Sequence, residues 1–336
     1  MSRSDPVVSP FLALGVAVLA VSTSAILVRF SEAPSLVKAF YRVLFTVSLL
    51  APVALARSRE TLRSFDRRDA SIAVASGVAL AVHFAAWFES LDWTSVAASA
   101  TLVQAQPVFV AAGAWAFLDE RVTRGVVAGI ALALVGMATM TFGDAVLPSL
   151  LGELPGGLDA FVPNGSDAAS AGDTSLYGDA LALVGAVTAA AYVLAGRSLR
   201  RRMPLVPYVT VVYGVCAVVL LALVVAGGHA LVGYPPREWL LFLAMAVGPG
   251  VFGHTVVNWA LAHLESSVVS VSLLGEPVAS TLLALALLHE VPTPATVIGG
   301  AVVLCGIYLA AVRRPSVDAE SDGDADADDR VRAPIE

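Results

Sequence analysis

Ten stretches of this chain run for about twenty residues each with almost no charge inside them and charges gathered at their ends. They lie near residues 10–29, 35–56, 70–90, 95–118, 122–142, 176–197, 205–227, 237–262, 266–288 and 293–312. An α-helix rising about 1.5 Å per residue needs about 20 apolar residues to cross a bilayer. In lipid every backbone N–H and C=O must be paired within the protein, which confines spanning structures to helices and closed barrels. The pattern predicts an all-α integral membrane protein of ten transmembrane helices. Composition agrees: 57% of the residues are hydrophobic and 14% charged, against roughly 25% charged in a soluble domain. The first stretch is long for a signal peptide and a second span follows at once, so it reads as a retained helix.

The chain repeats itself. "LVQAQPVFVAAGAWAFLDE" (Leu102 to Glu120) is echoed by "SLLGEPVASTLLALALLHE" (Ser272 to Glu290), with Pro107 answering Pro277 and Glu120 answering Glu290 at a separation of 170 residues. The same offset pairs Gly15 with Gly185, Pro34 with Pro204, Gly129 with Gly299 and Gly136 with Gly306. Two tandem copies follow: residues 1–142 hold the first five-helix repeat and 176–313 the second. Between them, 143–175 form an acidic, Gly-rich extracytoplasmic loop, and 314–336 a disordered acidic cytoplasmic tail. These two polar segments carry most of the formal net charge of −7.

An odd number of spans in the first copy turns the second copy over, so matching loops must carry opposite positive-charge bias. The loop after span two has Arg57, Arg59, Arg63, Arg67 and Arg68, and its counterpart after span seven only Arg237. The loop after span four has Arg121 and Arg124, and its counterpart "HEVPTPA" has none. Arg197, Arg200, Arg201 and Arg202 follow span six, against Arg29 and Lys38 around the first loop. The expectation is an inverted pair with both termini cytoplasmic, in a multi-pass protein of the plasma membrane.

With these features the chain resembles the drug/metabolite transporter superfamily, and within it the EamA-type transporters. The resemblance is carried by "FYR" in span two (Phe40, Tyr41, Arg42), the two echoing segments, and the glycine-spaced closing helix of each copy. It implies a secondary transporter of small molecules, with export of amino acids, related metabolites or drugs as the expectation; alternating access follows from the inverted repeat, and proton coupling turns on the reading of Glu276. The implied partners are a small-molecule substrate and the lipid bilayer, with no nucleic acid and with monomer and homodimer both open. A non-transporting scaffold or receptor is the alternative, and an intramembrane enzyme a further one.

Glu276 is the first site candidate. It lies ten residues into its span, near mid-membrane, where an ionisable side chain costs at least a few kcal/mol and marks function by default. Pro277 frees the carbonyl of Leu273 beside it. Its reading is a proton-coupling or cation-recognising carboxyl; the alternative is a neutral or paired glutamate that locks spans together. The first copy carries Gln106 at the matching place, next to Pro107, so the site is not charge-symmetric.

His254 and Asn258 lie four apart, on one helical face, after a helix break at Gly248, Pro249 and Gly250. His83 and Trp87 repeat that spacing, and the register sets His83 beside the His254 counterpart, so both histidines are expected to face one central cavity. Arg42 lies about 12 Å into span two; it reads as an anion or carboxylate ligand, a conformational ion pair, or a snorkelling anchor. Tyr41 is expected at the cavity edge. Glu120 and Glu290 end their helices and read as anchors or gates.

Other motifs carry nothing. "GPGVFG" has the dinucleotide-binding glycine spacing but sits within a span, with no strand before it. "HEVPT" lacks the second histidine of a zinc protease. Cys216 and Cys305 both fall in spans, without the spaced Cys/His set of a metal site or disulfide framework, so neither metal nor cofactor is expected. Asn164 opens a glycosylation sequon on the loop expected outside.

Overall fold

The computed structural model describes residues 8–57, 66–93, 99, 102–151, 176–288 and 291–312. Among the described residues every regular element is helical and none is a strand. The first copy contributes α1 (Pro10–Phe30), α2 (Ser35–Arg57), α3 (Arg67–Trp93), α4 (Gln106–Phe117) and α5 (Arg124–Leu151). The second contributes α6 (Leu176–Arg200), α7 (Leu205–Ala226), α8 (Pro236–Met245), a π-helical stretch (Ala246–Thr255), α9 (Val256–Ala260), α10 (Ser266–Leu273), α11 (Glu276–Leu288) and α12 (Pro294–Val312). Nine spans among the described residues are long and apolar enough to cross a membrane, and α4 is a shorter apolar helix. Most of the acidic loop with Asn164, the C-terminal tail, His289, Glu290 and the start of span four lie outside the described residues. One boundary moves: α5 continues through Leu151, past residue 142 where the sequence reading ends the fifth span.

The helices pack as a two-fold relation between the copies demands. α1 lies along the third span of the second copy, while α3 lies along α6, the first span of that copy. α2 packs on α7, α4 on α10, and α5 on α12. The last pair fixes the sense of the relation. A Cβ on Gly129 would come within 2.6 Å of the Gly306 carbonyl, and one on Gly136 within 2.7 Å of the Gly299 carbonyl. As the number rises along α5 it falls along α12, so these equivalent helices are antiparallel and the copies are inverted. Small residues allow this approach, because TM helices have no hydrophobic drive to associate and rely on close packing.

Both helix breaks in the fourth spans fall at matching places. Leu274 and Gly275 separate α10 from α11, and Gln104 and Ala105 precede α4, each turn closed by a tight bond: Gly275 N–H to Ser272 O at 3.0 Å and Ala105 N–H to Leu102 O at 3.1 Å. The following Pro277 and Pro107 cannot donate to a continuous ladder. The "GPG" segment behaves differently from the expected break. The helix runs on through Gly248, Pro249 and Gly250 as a π-helix, whose wider hydrogen-bond spacing accommodates the missing proline N–H. Thr255 Oγ1 donates to Gly250 O, five residues back, at 3.1 Å.

Large apolar side chains such as Trp115, Val127, Val218, Leu240 and Leu282 are exposed on the outer faces, the reverse of a soluble surface, as lipid contact requires. The main apolar core lies between α1, α2, α3, α6, α7 and α8, and a smaller one between α4, α5, α10 and α12.

Candidate functional site

A small cavity lies where the copies meet, lined by Arg42, Val43, Thr46, Leu80, Phe84, Tyr213, Gly250 and His254. Three pairs in this lining are repeat mates at the 170-residue offset: Val43 with Tyr213, Leu80 with Gly250, and Phe84 with His254. Phe84 and His254 touch, ring centroids 6.0 Å apart and nearly edge-on at 66°. Residues that meet their own mates lie on the two-fold axis, so the cavity is on that axis. Its lining is nonetheless lopsided: the second copy supplies Tyr213 and His254 where the first supplies Val43 and Phe84. The void measures about 10 Å³, room for about one water and too small for a metabolite.

Arg42 is the one formal charge in the lining. It is buried to 5% exposure, its Nη1 donates to Ser24 Oγ at 3.2 Å, and its guanidinium sits 4.9 Å above the Phe84 ring. A guanidinium has five N–H donors, and among the described residues no other hydrogen bond or ion pair uses them. No ion pair joins Arg42 to Glu276 of the second copy; the ion pairs among the described residues are Arg197 with Glu120 and Arg202 with Asp69. Glu276 opens α11 immediately after the break. Ser22 of α1 donates to the Glu276 backbone carbonyl at 3.1 Å, and Ser280 returns a bond to the Ser22 carbonyl at 3.2 Å. The Glu276 side chain makes no hydrogen bond among the described residues. Its mate Gln106 opens α4 in the same way and is likewise half-buried.

Asn258 is fully buried, and its Nδ2, with two N–H donors, lies within hydrogen-bond reach of His254 O at 2.8 Å, the Tyr213 hydroxyl at 3.3 Å and the Tyr192 hydroxyl. Arg200 of α6 caps the Asn258 carbonyl at 3.0 Å. His83 departs from the expectation of two histidines facing one cavity. Its Nδ1 pairs with Gly185 O on α6 at 2.9 Å, and its ring stacks on Trp87 at 6.0 Å. The reason is register: the mate of His254 is Phe84, and one residue turns a side chain about 100° around a helix. Three buried polar atoms lack a protein partner among the described residues: Trp87 Nε1, His254 Nδ1 and Asn258 Oδ1. All three belong to residues singled out by sequence, and an unpaired buried polar group costs about 1–3 kcal/mol.

Tyr41 stands away from the cavity lining. Its hydroxyl donates to Leu231 O, and its ring stacks on Phe242 at 5.0 Å and meets Trp239 edge-on at 4.9 Å. This aromatic plug joins α2 to α8. Beside it Glu238, in the first turn of α8, accepts from Ser31 Oγ and from Glu32 N–H at 3.0 Å. At the opposite end Asp69, in the first turn of the matching helix α3, pairs with Arg202 at 2.7 Å. Each third helix thus holds the first loop of the other copy through an acidic residue. Glu120 strengthens the second end: it accepts from Arg197 Nε at 2.6 Å and from Ser266 N–H and Oγ at 3.0 and 2.7 Å. Arg197 also donates to Leu261 O at 2.9 Å.

The sequence reading passed over Tyr192, Tyr213, Thr46 and Phe84. A usable signal existed for the tyrosines, since a phenol deep in an apolar span needs a hydrogen-bond partner. Nothing in one sequence marks Phe84 except its status as the mate of His254.

The EamA-like transporter family model matches residues 9–142 and 176–312, one match per copy. A protein of Archaeoglobus fulgidus described as an uncharacterized transporter is 24% identical over 278 residues, 82% of this chain and 87% of its own length. A crystal structure 21% identical in sequence shares the fold with a TM-score of 0.67, over 90% of this chain and 96% of that one. With an inverted repeat, broken fourth helices and a charged cavity on the axis between its halves, the chain belongs to the EamA-like transporter family and is a multi-pass membrane transporter.

Proposed function

We propose that this chain is a secondary transporter that exports small metabolites, amino acids or related compounds or drugs, across the plasma membrane by alternating access, with Glu276 as the proton-carrying group. The observation that supports it most is the cavity on the two-fold axis, lined by both copies and holding a buried charge. A site on such an axis opens to either side by equivalent movements of the two halves. Here both ends are held by contacts that cross between the copies, Glu238 with residues 31–32 at one and Asp69 with Arg202 at the other. The arginine-rich loops support a cytoplasmic location for the second end and for both termini.

Glu276 suits proton carriage because its carboxyl is free of hydrogen bonds among the described residues. Ser22 of α1 engages the Glu276 backbone rather than its carboxyl. The test is uptake of a panel of labelled metabolites into vesicles reconstituted with the purified chain, under imposed pH and sodium gradients. The expected result is movement of at least one member, faster with a pH gradient than without. A panel left wholly in place would turn the reading toward a scaffold or receptor.

A further inference from the structure

We propose that Arg42 anchors a carboxylate on the transported molecule, so that substrates are organic acids or zwitterions rather than plain amines. The inference rests on the transport reading above and concerns what the same cavity selects. Four observations carry it. Arg42 lines the cavity and is almost fully buried. Its contacts are one serine hydroxyl and the face of Phe84, neither of which neutralises a guanidinium. No carboxylate among the described residues pairs with it: the ion pairs there are Arg197 with Glu120 and Arg202 with Asp69. The remaining lining groups are the neutral side chains of Val43, Thr46, Leu80 and Tyr213, the Gly250 backbone and the His254 ring.

A planar cation with free donors at the bottom of a low-dielectric cavity matches a carboxylate, which takes two parallel N–H bonds in a fork. A substrate carboxylate there supplies the compensation that neither the Ser24 hydroxyl nor the Phe84 ring gives. The void, about 10 Å³, admits no such group until the copies part, so the bond forms when one end opens and persists as the cavity closes. A plain amine gains nothing from this site and meets a like charge.

The test compares matched molecules on the purified full chain in vesicles: each proteinogenic amino acid, its α-amide and its decarboxylated amine, scored by inhibition of uptake of the labelled parent amino acid that moves fastest. The expected result is that amide and amine inhibit at least tenfold less well than the acid. Arg42→Gln should erase that preference, and Arg42→Lys should retain it in weakened form. Amides and amines as effective as acids on the wild-type chain would overturn the assignment while leaving transport intact, and this arm needs no variant to fold. A wild-type chain that moves only metabolites lacking a carboxylate would overturn the assignment alone, and one that moves no member of this panel or of the broader metabolite panel would overturn the assignment and the transport reading together.

Discussion

Replacing Glu120 by glutamine should loosen one end of the transporter by a calculable amount. The carboxylate holds Arg197 at 2.6 Å and Ser266 through two bonds at 3.0 and 2.7 Å, and both Glu120 and Arg197 are largely buried. Glutamine keeps the length and can still accept from Ser266, so the loss is chiefly the charge-assisted bond to Arg197. Such a bond contributes about 1.5–3 kcal/mol. Glu120 ends the fourth span of one copy, while Arg197 and Ser266 belong to the other, so the contact must break when that end opens. A loss of about 2 kcal/mol in the closed form alone shifts the opening equilibrium about 25-fold, since 1.4 kcal/mol is a factor of ten. The assay starts from Cys216→Ala with Cys305→Ser and places a cysteine at Leu80 in the cavity lining. Its labelling rate by an impermeant thiol reagent is read from the side that bears Arg197. The expected rise on adding Glu120→Gln is one to one and a half orders of magnitude. A rate within twofold of the parent would show that the contact does not hold the closed form.

Gly136→Val should destabilise the fold by about 1–3 kcal/mol, the usual cost of overpacking, because the added atoms meet Val303 N and Gly299 O at 2.6 and 2.7 Å; the check is the unfolding midpoint in denaturant. His254→Ala should lower the transport rate at least tenfold, whereas His83→Ala, which loses a bond to the α6 backbone, should cost about 1 kcal/mol of stability and leave most of the rate; equal rates for both would return His83 to the cavity. Single cysteines in place of Arg63 and Arg201 should resist an impermeant reagent in intact cells while one in place of Asp159 reacts, and labelling at position 63 from outside would overturn the assigned orientation.

The features legible in sequence were those that the repeat writes twice. Pro107 and Pro277 mark matching breaks because a missing N–H acts locally wherever the residue sits. Gly129, Gly136, Gly299 and Gly306 recur at one spacing because the closing helices press backbone to backbone. What stayed hidden depended on partners far along the chain or on angle. Tyr41 was expected at the cavity edge, but its place is set by Trp239 and Phe242, about two hundred residues away. His83 misses its mate position by one residue, which a spacing argument tolerates and a helix does not. The π-helical stretch through Pro249 was unreadable because glycine and proline signal a break and a widened turn alike. Asn258 was found by its spacing from His254, yet its anchoring to Tyr192 and Tyr213 comes from packing between α6, α7 and α9.

The most direct test of coupled transport through the axial cavity is accumulation in vesicles under an imposed pH gradient, wild type against Glu276→Gln. Glutamine preserves the size of the side chain and a capacity to hydrogen-bond but neither gains nor loses a proton. The fold already accommodates an amide at the matching position, Gln106, which opens α4 just as Glu276 opens α11. The account predicts that the variant inserts, exchanges labelled for unlabelled substrate across the membrane, and fails to accumulate it against a gradient. Accumulation by Glu276→Gln equal to that of the wild type would contradict it and leave Glu276 as a structural residue.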